Sequence, residues 1–285
     1  MDHSNDQAIR LGKVFAKLAR PQNTRISIII YIALATKLHV ALWPIIAGSF
    51  LIIAAYAGVT AYNDQADIEI DRQNERTLPL AQKQLNHSQA NIFIIVTLLI
   101  GGVLQLGLHQ PSGIIFWLIY LFLGWIYSAS SFKISHRGLL APILLSFCYV
   151  GLPIYLAASQ SGTDRALNSL ILLLAAIPFS MASTLFKDYK DQRGDLQGGK
   201  MTPLLRYGDK GIKSIAWGLT IGGGLVMLYL QRYLGLSLLA YLVALVALFQ
   251  LSRQSVPQPK LVACFSYALV LAIACLVYSS PFLFS

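Results

Sequence analysis

Acidic residues are scarce in this chain of 285 residues: 12 Asp and Glu stand against 22 Lys and Arg, and charged residues make up only 12% of the sequence. So little charge excludes an ordinary soluble domain, in which about a quarter of residues are charged. Long polar intervals are missing too. Apolar runs recur from end to end, with 56% hydrophobic residues and a mean hydropathy of +0.61. The class that remains is an all-α, polytopic membrane protein, read as a single domain over residues 1–285. Cysteine is rare: Cys148, Cys264 and Cys275 lie in apolar runs with no CxxC pair and no nearby His constellation that would make a zinc site, which leaves them as small packing residues. The N-terminus lacks the uninterrupted apolar stretch of a signal peptide. Residues 1–24 instead interleave Arg10, Lys13, Lys17 and Arg20 with Ile9, Leu11, Val14, Phe15 and Leu18. That pattern predicts an amphipathic interfacial helix ending at Pro21, with the first span retained.

Nine spans follow from the hydropathy pattern, at 25–41, 42–62, 89–108, 113–131, 139–158, 166–186, 212–230, 234–251 and 261–282. Lys37 and His39 interrupt the first pair, and Trp43 and Pro44 mark its turn. One long helix or a re-entrant pair are the alternatives there. With the N-terminus in the cytoplasm, all but Lys37, Arg165 and Arg232 of the 22 basic residues fall inside, so the positive-inside rule selects that orientation. The net charge of +10 therefore reads as topology and not as a nucleic-acid surface. A multi-pass protein of a bacterial plasma membrane is the expected setting, in contact with membrane lipid.

What little acid the chain has is concentrated. Eight of the 12 carboxylates lie in two short segments: Asp64, Asp67, Glu69, Asp71 and Glu75 in one, Asp188, Asp191 and Asp195 in the other. The first reads Asn63-Asp64-x-x-Asp67-x-x-x-Asp71 and the second Lys187-Asp188-x-x-Asp191-x-x-x-Asp195, the same spacing 124 positions apart. On one continuous helix, i, i+3 and i+7 fall within about 60° of a single face. Each segment is thus predicted to be a strip of oxygen ligands, and the pair an internal repeat. Clustered carboxylates beside a bilayer repel one another unless cations neutralise them, and Mg²⁺ carrying a diphosphate does so with oxygen ligands. Arg72 and Arg76 after the first cluster, and the Lys and Arg residues of the second, supply bases for phosphate oxygens. In the chosen topology both clusters open to the cytoplasm, as does the 132–138 loop. Between them, Tyr127-Ser128-Ala-Ser130-Ser131-Phe132-Lys133 places a phenol and an ammonium at the membrane edge. Trp117, Tyr120, Trp125 and Tyr127 are candidates to line an apolar tunnel, or else belong to an aromatic belt.

These motifs in this order, with the trailing Gly199-Lys200-x-Thr202-Pro203 and with Arg20-Pro21 before the first span, resemble the UbiA superfamily of intramembrane prenyltransferases over nearly the whole chain. The resemblance implies a ring of nine transmembrane helices around a central cavity, capped by the two Asp-bearing cytoplasmic loops. It further implies that Asn63, Asp64, Asp67 and Asp71 with Asp188, Asp191 and Asp195 bind two Mg²⁺ and the prenyl diphosphate. Arg20, Arg76, Lys133 and Lys187 would hold the diphosphate, with Tyr127 near the reactive carbon and Asp71 and Asp191 as catalytic carboxylates. The chain departs from many members in lacking Pro after the Tyr-Ser pair and a second Arg before Pro79. The expected activity is transfer of a prenyl group from an isoprenoid diphosphate to a lipophilic acceptor, an aromatic quinone precursor in many relatives. Alternatives within the superfamily are a terpene cyclase and a phosphoribosyl or glycerol-lipid transferase. From another class, a metal-cation transporter is disfavoured because the acids sit at one interface and not at mid-membrane. Donor length, acceptor and oligomeric state are not encoded in any motif.

Overall fold

The computed structural model describes residues 3–106, 108, 111–161, 168–231 and 235–280. Arg165 and Arg232, two of the three bases assigned to the outer face, lie outside the described residues. Among the described residues there is no strand, only a lone bridge between Arg137 and Met201 that ties two loops together. In hydrocarbon every backbone N–H and C=O needs a partner within the protein, and helices supply it locally.

The helices are α1 (His3–Ala19), α2 (Arg25–Lys37), α3 (Leu42–Ala66), α4 (Ile68–Gln73), α5 (His87–Leu106) and α6 (Pro111–Ser128). They continue with α7 (Leu140–Ser159), α8 (Asn168–Lys190), α9 (Gln192–Gln197), α10 (Pro203–Leu230), α11 (Leu236–Ser252) and α12 (Pro259–Ser279). Seven of these, α3, α5, α6, α7, α8, α10 and α12, are long and apolar enough to cross a membrane. The apolar α2 and α11 are shorter, at 13 and 17 residues. A 13-residue helix extends only about 20 Å, less than the hydrocarbon thickness. The first predicted pair of spans is two helices and not one, because the chain turns at Leu38–Ala41 with His39 left-handed (φ 56).

Large apolar side chains point outward, as in a protein solvated by lipid. Leu99 and Val103 on α5, Phe50 on α3 and Leu225 on α10 are all more than half exposed. The inward faces carry small residues instead. On α3, Ala47, Gly48, Ala54, Ala55, Ala57, Gly58 and Ala61 are buried, which lets α2, α5 and α6 approach closely. α2 also packs on α7 and α12, and α8 packs on α7, α10 and α12. α1 docks against α3: Leu18 is fully buried with Ala61, Leu80, Leu85 and Ala90, and Phe15 stacks on Phe93 at 5.6 Å. The amphipathic segment thus uses its apolar stripe to clamp the 74–86 loop, and the chain then leaves it at Arg20 in a left-handed conformation (φ 46) before Pro21.

Candidate active site

The two acidic segments fold into matching turns. α3 stops at Ala66 and α4 starts at Ile68, with Asp67 in the break (φ −103, ψ 14). Leu185–Lys190 is a tight 3-10 stretch and α9 starts at Gln192, with Asp191 in the break (φ −112, ψ 7). Neither triad therefore lies on one continuous helix, which corrects the predicted strip. Beyond the break the match continues, with Asp71 N–H donating to the Asp67 carbonyl at 2.8 Å and Asp195 N–H to Asp191 at 3.0 Å. Glu75 (φ 53) and Gly199 (φ 66) are both left-handed, and the residues after them, Arg76 and Lys200, return N–H bonds to the carbonyls of Asp71 and Asp195. α4 and α9 pack on each other through Gly194, whose N–H donates to Asn74 Oδ1 at 2.6 Å. A Cβ at Gly194 would stand 2.6 Å from both the Asn74 side chain and the Ile70 carbonyl, so only glycine permits the contact.

Basic side chains lace the acids together. Arg76 lies 3.1 Å from Asp71 Oδ1 through Nη1 and 3.2 Å from Asp191 Oδ1 through Nε. Lys200 Nζ lies 3.0 Å from Asp67 Oδ2 and 3.9 Å from Asp195 Oδ1. Each base thus joins the last acid of its own segment to the middle acid of the other. Arg20 Nη2 donates to Asp64 Oδ1 at 2.5 Å. Lys187 Nζ donates to the Tyr127 hydroxyl at 3.0 Å and stands 3.8 Å from Asp188 Oδ1. Asn63 Nδ2 donates to Ser128 Oγ at 3.0 Å and more weakly to Asp67 Oδ2 at 3.3 Å. Burial raises the Asp195 carboxyl to about 6, with Lys200 opposing, and raises Asp71 against the pull of Arg76. Burial is the larger cause in both, ahead of repulsion from the neighbouring acids.

The donor set suits a hard cation, since it is all oxygen and Asp64 Oδ2 is a buried carboxylate oxygen with no hydrogen-bond partner among the described residues. Among the described residues, however, no three Asp, Glu, His or Cys side chains meet as a ready metal site. The bases stand between them.

Beneath the acids lies a cavity of about 430 Å³, bounded by α2, α3, α6, α7, α8 and α12. Asn63, Asp67, Asp188, Asp191, Asp195, Arg20, Arg76 and Lys187 line its mouth, with Lys200 and Tyr127. Its walls are aromatic: Tyr56, Tyr120, Tyr149 and Phe179, with Tyr56 and Tyr149 ring centroids 5.9 Å apart. A π turn at Phe147–Gly151 in α7 brings the successive residues Cys148, Tyr149 and Val150 to the cavity.

The sequence-predicted residues divide accordingly. Asp64 and Asp71 are buried behind the cavity surface, held to it by Arg20 and Arg76. Lys133 stands apart: it is exposed, left-handed (φ 42) and outside the cavity lining. Arg72 pairs with Glu69 instead of facing the site. Tyr120 and Tyr127 line the cavity as expected, but Trp117 packs on Gly101 of α5 and Trp125 faces outward against Phe132. Cys148 packs in the buried core and borders the cavity, whereas Cys264 is exposed. Sequence reasoning missed Tyr56 and Tyr149, gave Ser128 no role of its own, and underrated Lys200. For Lys200 a signal was present, because it stands 124 positions after Arg76, the interval that separates the two Asp triads.

A sequence model described as the UbiA prenyltransferase family matches residues 25–272. The digeranylgeranylglyceryl phosphate synthase of Sulfurisphaera tokodaii is 26% identical over 199 residues, 69% of this chain and 70% of that protein. The synthase of the same name from Pyrococcus horikoshii is 24% identical over 201 residues, 70% of each chain. Among solved structures, one from work on digeranylgeranylglyceryl phosphate synthase in membranes superposes with a TM-score of 0.64 at 18% identity, covering 93% of this chain and 98% of that one. A UbiA homologue from Archaeoglobus fulgidus bound to DMAPP and Mg²⁺ gives 0.61 at 17% identity, covering 93% and 99%. These structural likenesses establish the fold, and the match over residues 25–272 establishes the relationship: the chain belongs to the UbiA prenyltransferase family.

Proposed function

We propose that this chain transfers the prenyl group of an isoprenoid diphosphate to a lipophilic acceptor at the cavity mouth, releasing diphosphate. The observation that carries the reading is the meeting of both acid segments and the bases Arg20, Arg76, Lys187 and Lys200 over one aromatic-walled cavity. The bases bind and orient the diphosphate, and their positive charge favours its departure. Mg²⁺, which fits the oxygen donors Asn63, Asp64, Asp67, Asp71, Asp188, Asp191 and Asp195, supplies the remaining charge on the leaving group when bound. Below them the cavity keeps water from the allylic cation, and the faces of Tyr56, Tyr120 and Tyr149 favour positive charge there. Tyr127, whose hydroxyl is fixed by Lys187, stands where the polar mouth meets the apolar cavity, beside the carbon that ionises.

The shorter α2 and α11 are read as completing nine spans with the seven longer helices, six of the nine bounding this cavity, with the site cytoplasmic. Both acid turns, the C-terminus of α6 and the docked α1 gather at one end of the bundle, the end rich in Lys and Arg. For the acceptor, the names of the curated relatives favour a glycerol-lipid phosphate, and nothing among them favours the aromatic quinone precursor anticipated from sequence. A mass-spectrometric screen of purified chain, Mg²⁺ and prenyl diphosphates of graded length, against glycerol-lipid and aromatic acceptors, tests this reading. Prenylated glycerol lipid is the expected product. An aromatic product would move the acceptor assignment, and absence of any prenylated product would count against transfer itself.

A further inference from the structure

The reciprocal ion pairs carry a consequence for how the site loads. Arg76 and Lys200 stand five residues after Asp71 and Asp195, and both follow a left-handed residue. Each crosses to the middle acid of the other segment. They are equivalents under the internal repeat, and between them they occupy four of the six Asp carboxylates. Hence no three acids meet among the described residues: the ground between them is taken by protein cations. Both bases also line the cavity, which permanent struts behind the site would not need to do.

We propose that Arg76 and Lys200 are exchangeable counter-ions that hold the carboxylates until a diphosphate arrives, so that metal and donor enter together and metal alone binds weakly. This rests on the prenyl-transfer reading above. A divalent ion cannot share the gap with an ammonium already within 3.0 Å of Asp67 without strong repulsion. Diphosphate oxygens offer the two bases an equivalent anionic partner, and the freed carboxylates then accept the metal. Lys200, with one close and one distant contact, is the one that yields first.

The test titrates Mg²⁺ alone into the detergent-solubilised chain by calorimetry. Lys200→Met is expected to bind Mg²⁺ about tenfold more tightly than wild type, and Lys200→Arg to stay within about threefold. Unchanged or weaker binding by Lys200→Met overturns the proposal. Should that variant fail to fold, acylation of the wild-type Lys200 amine, read by mass spectrometry, decides. Labelling is expected to be slow without additions, to rise at least about threefold with saturating Mg²⁺ alone, and to fall again when inorganic diphosphate is added. No rise with Mg²⁺ overturns the proposal. A wild-type chain that retains no inorganic diphosphate at any Mg²⁺ level would count against prenyl transfer itself, whereas retention with unaltered metal affinity in Lys200→Met counts only against the counter-ion assignment.

Discussion

The first acid turn and the second share a backbone and differ in what holds them. Arg76 reaches both its carboxylates at nearly equal distance, 3.1 and 3.2 Å, while Lys200 holds one at 3.0 Å and the other at 3.9 Å. A guanidinium is a planar fork of donors, and an ammonium is a point charge on a flexible stem. The first turn leaves directly from a 25-residue helix, but the second is reached through the 3-10 stretch Leu185–Lys190. It is braced from outside, where the Tyr189 hydroxyl donates to Asp209 Oδ1 at 2.8 Å. Lys213 ties the same Asp209 to the Gln254 carbonyl, at 2.8 and 2.6 Å. The repeat fixes where the charges stand, and the side chains decide which half is stiff and which gives way.

The likeness of the halves is tested hardest by removing one acid from each. Asp71→Asn and Asp191→Asn are each expected to lower the rate of diphosphate release at saturating Mg²⁺ by at least about 10²-fold. Full activity in either one would break the single-site account. The unlikeness is tested by exchanging the bases: Arg76→Lys should cost about tenfold in turnover, and Lys200→Arg no more than about threefold, because only the first loses a two-carboxylate fork. Equal losses would erase the stiff and yielding distinction.

Packing between the halves gives a smaller effect. Gly194→Ala forces α4 and α9 apart and should lower stability by about 1–3 kcal/mol in thermal unfolding. Gly222→Ala in α10, where no described residue lies within 4 Å of the added carbon, should be neutral or slightly stabilising. Loss of the outer brace in Tyr189→Phe removes one hydrogen bond, worth about 1 kcal/mol. A few-fold rise in the half-saturating Mg²⁺ concentration with unchanged acceptor KM is the outcome expected in steady-state kinetics. Smallest of all, Lys133→Ala should change turnover by no more than about twofold, as for an exposed charge outside the site. A large loss there would restore Lys133 to the diphosphate set.

Much of this site was legible in the sequence because charge is costly in an apolar chain. Asp64, Asp67, Asp71 and their counterparts stand out for that reason, and the structure sets the two segments side by side, with Asp64 and Asp71 behind the cavity surface. What the Asp spacing concealed was the break at Asp67 and Asp191, since i, i+3, i+7 looks the same whether or not a helix continues through it. The cavity wall was hidden for a different reason. A membrane helix such as α3 is apolar toward lipid and toward protein alike, so periodicity does not distinguish inward Tyr56 from outward Phe50. Trp117 and Trp125 misled for the same cause, and Tyr149 reaches the cavity through a π turn that no pattern announces.

The most direct measurement is the stoichiometry of diphosphate release to prenylated product for the purified wild-type chain with a prenyl diphosphate, a lipid acceptor and Mg²⁺. Release that depends on Mg²⁺ and matches product one for one is the predicted result. Metal flux across proteoliposomes with no diphosphate released from any prenyl donor would contradict it.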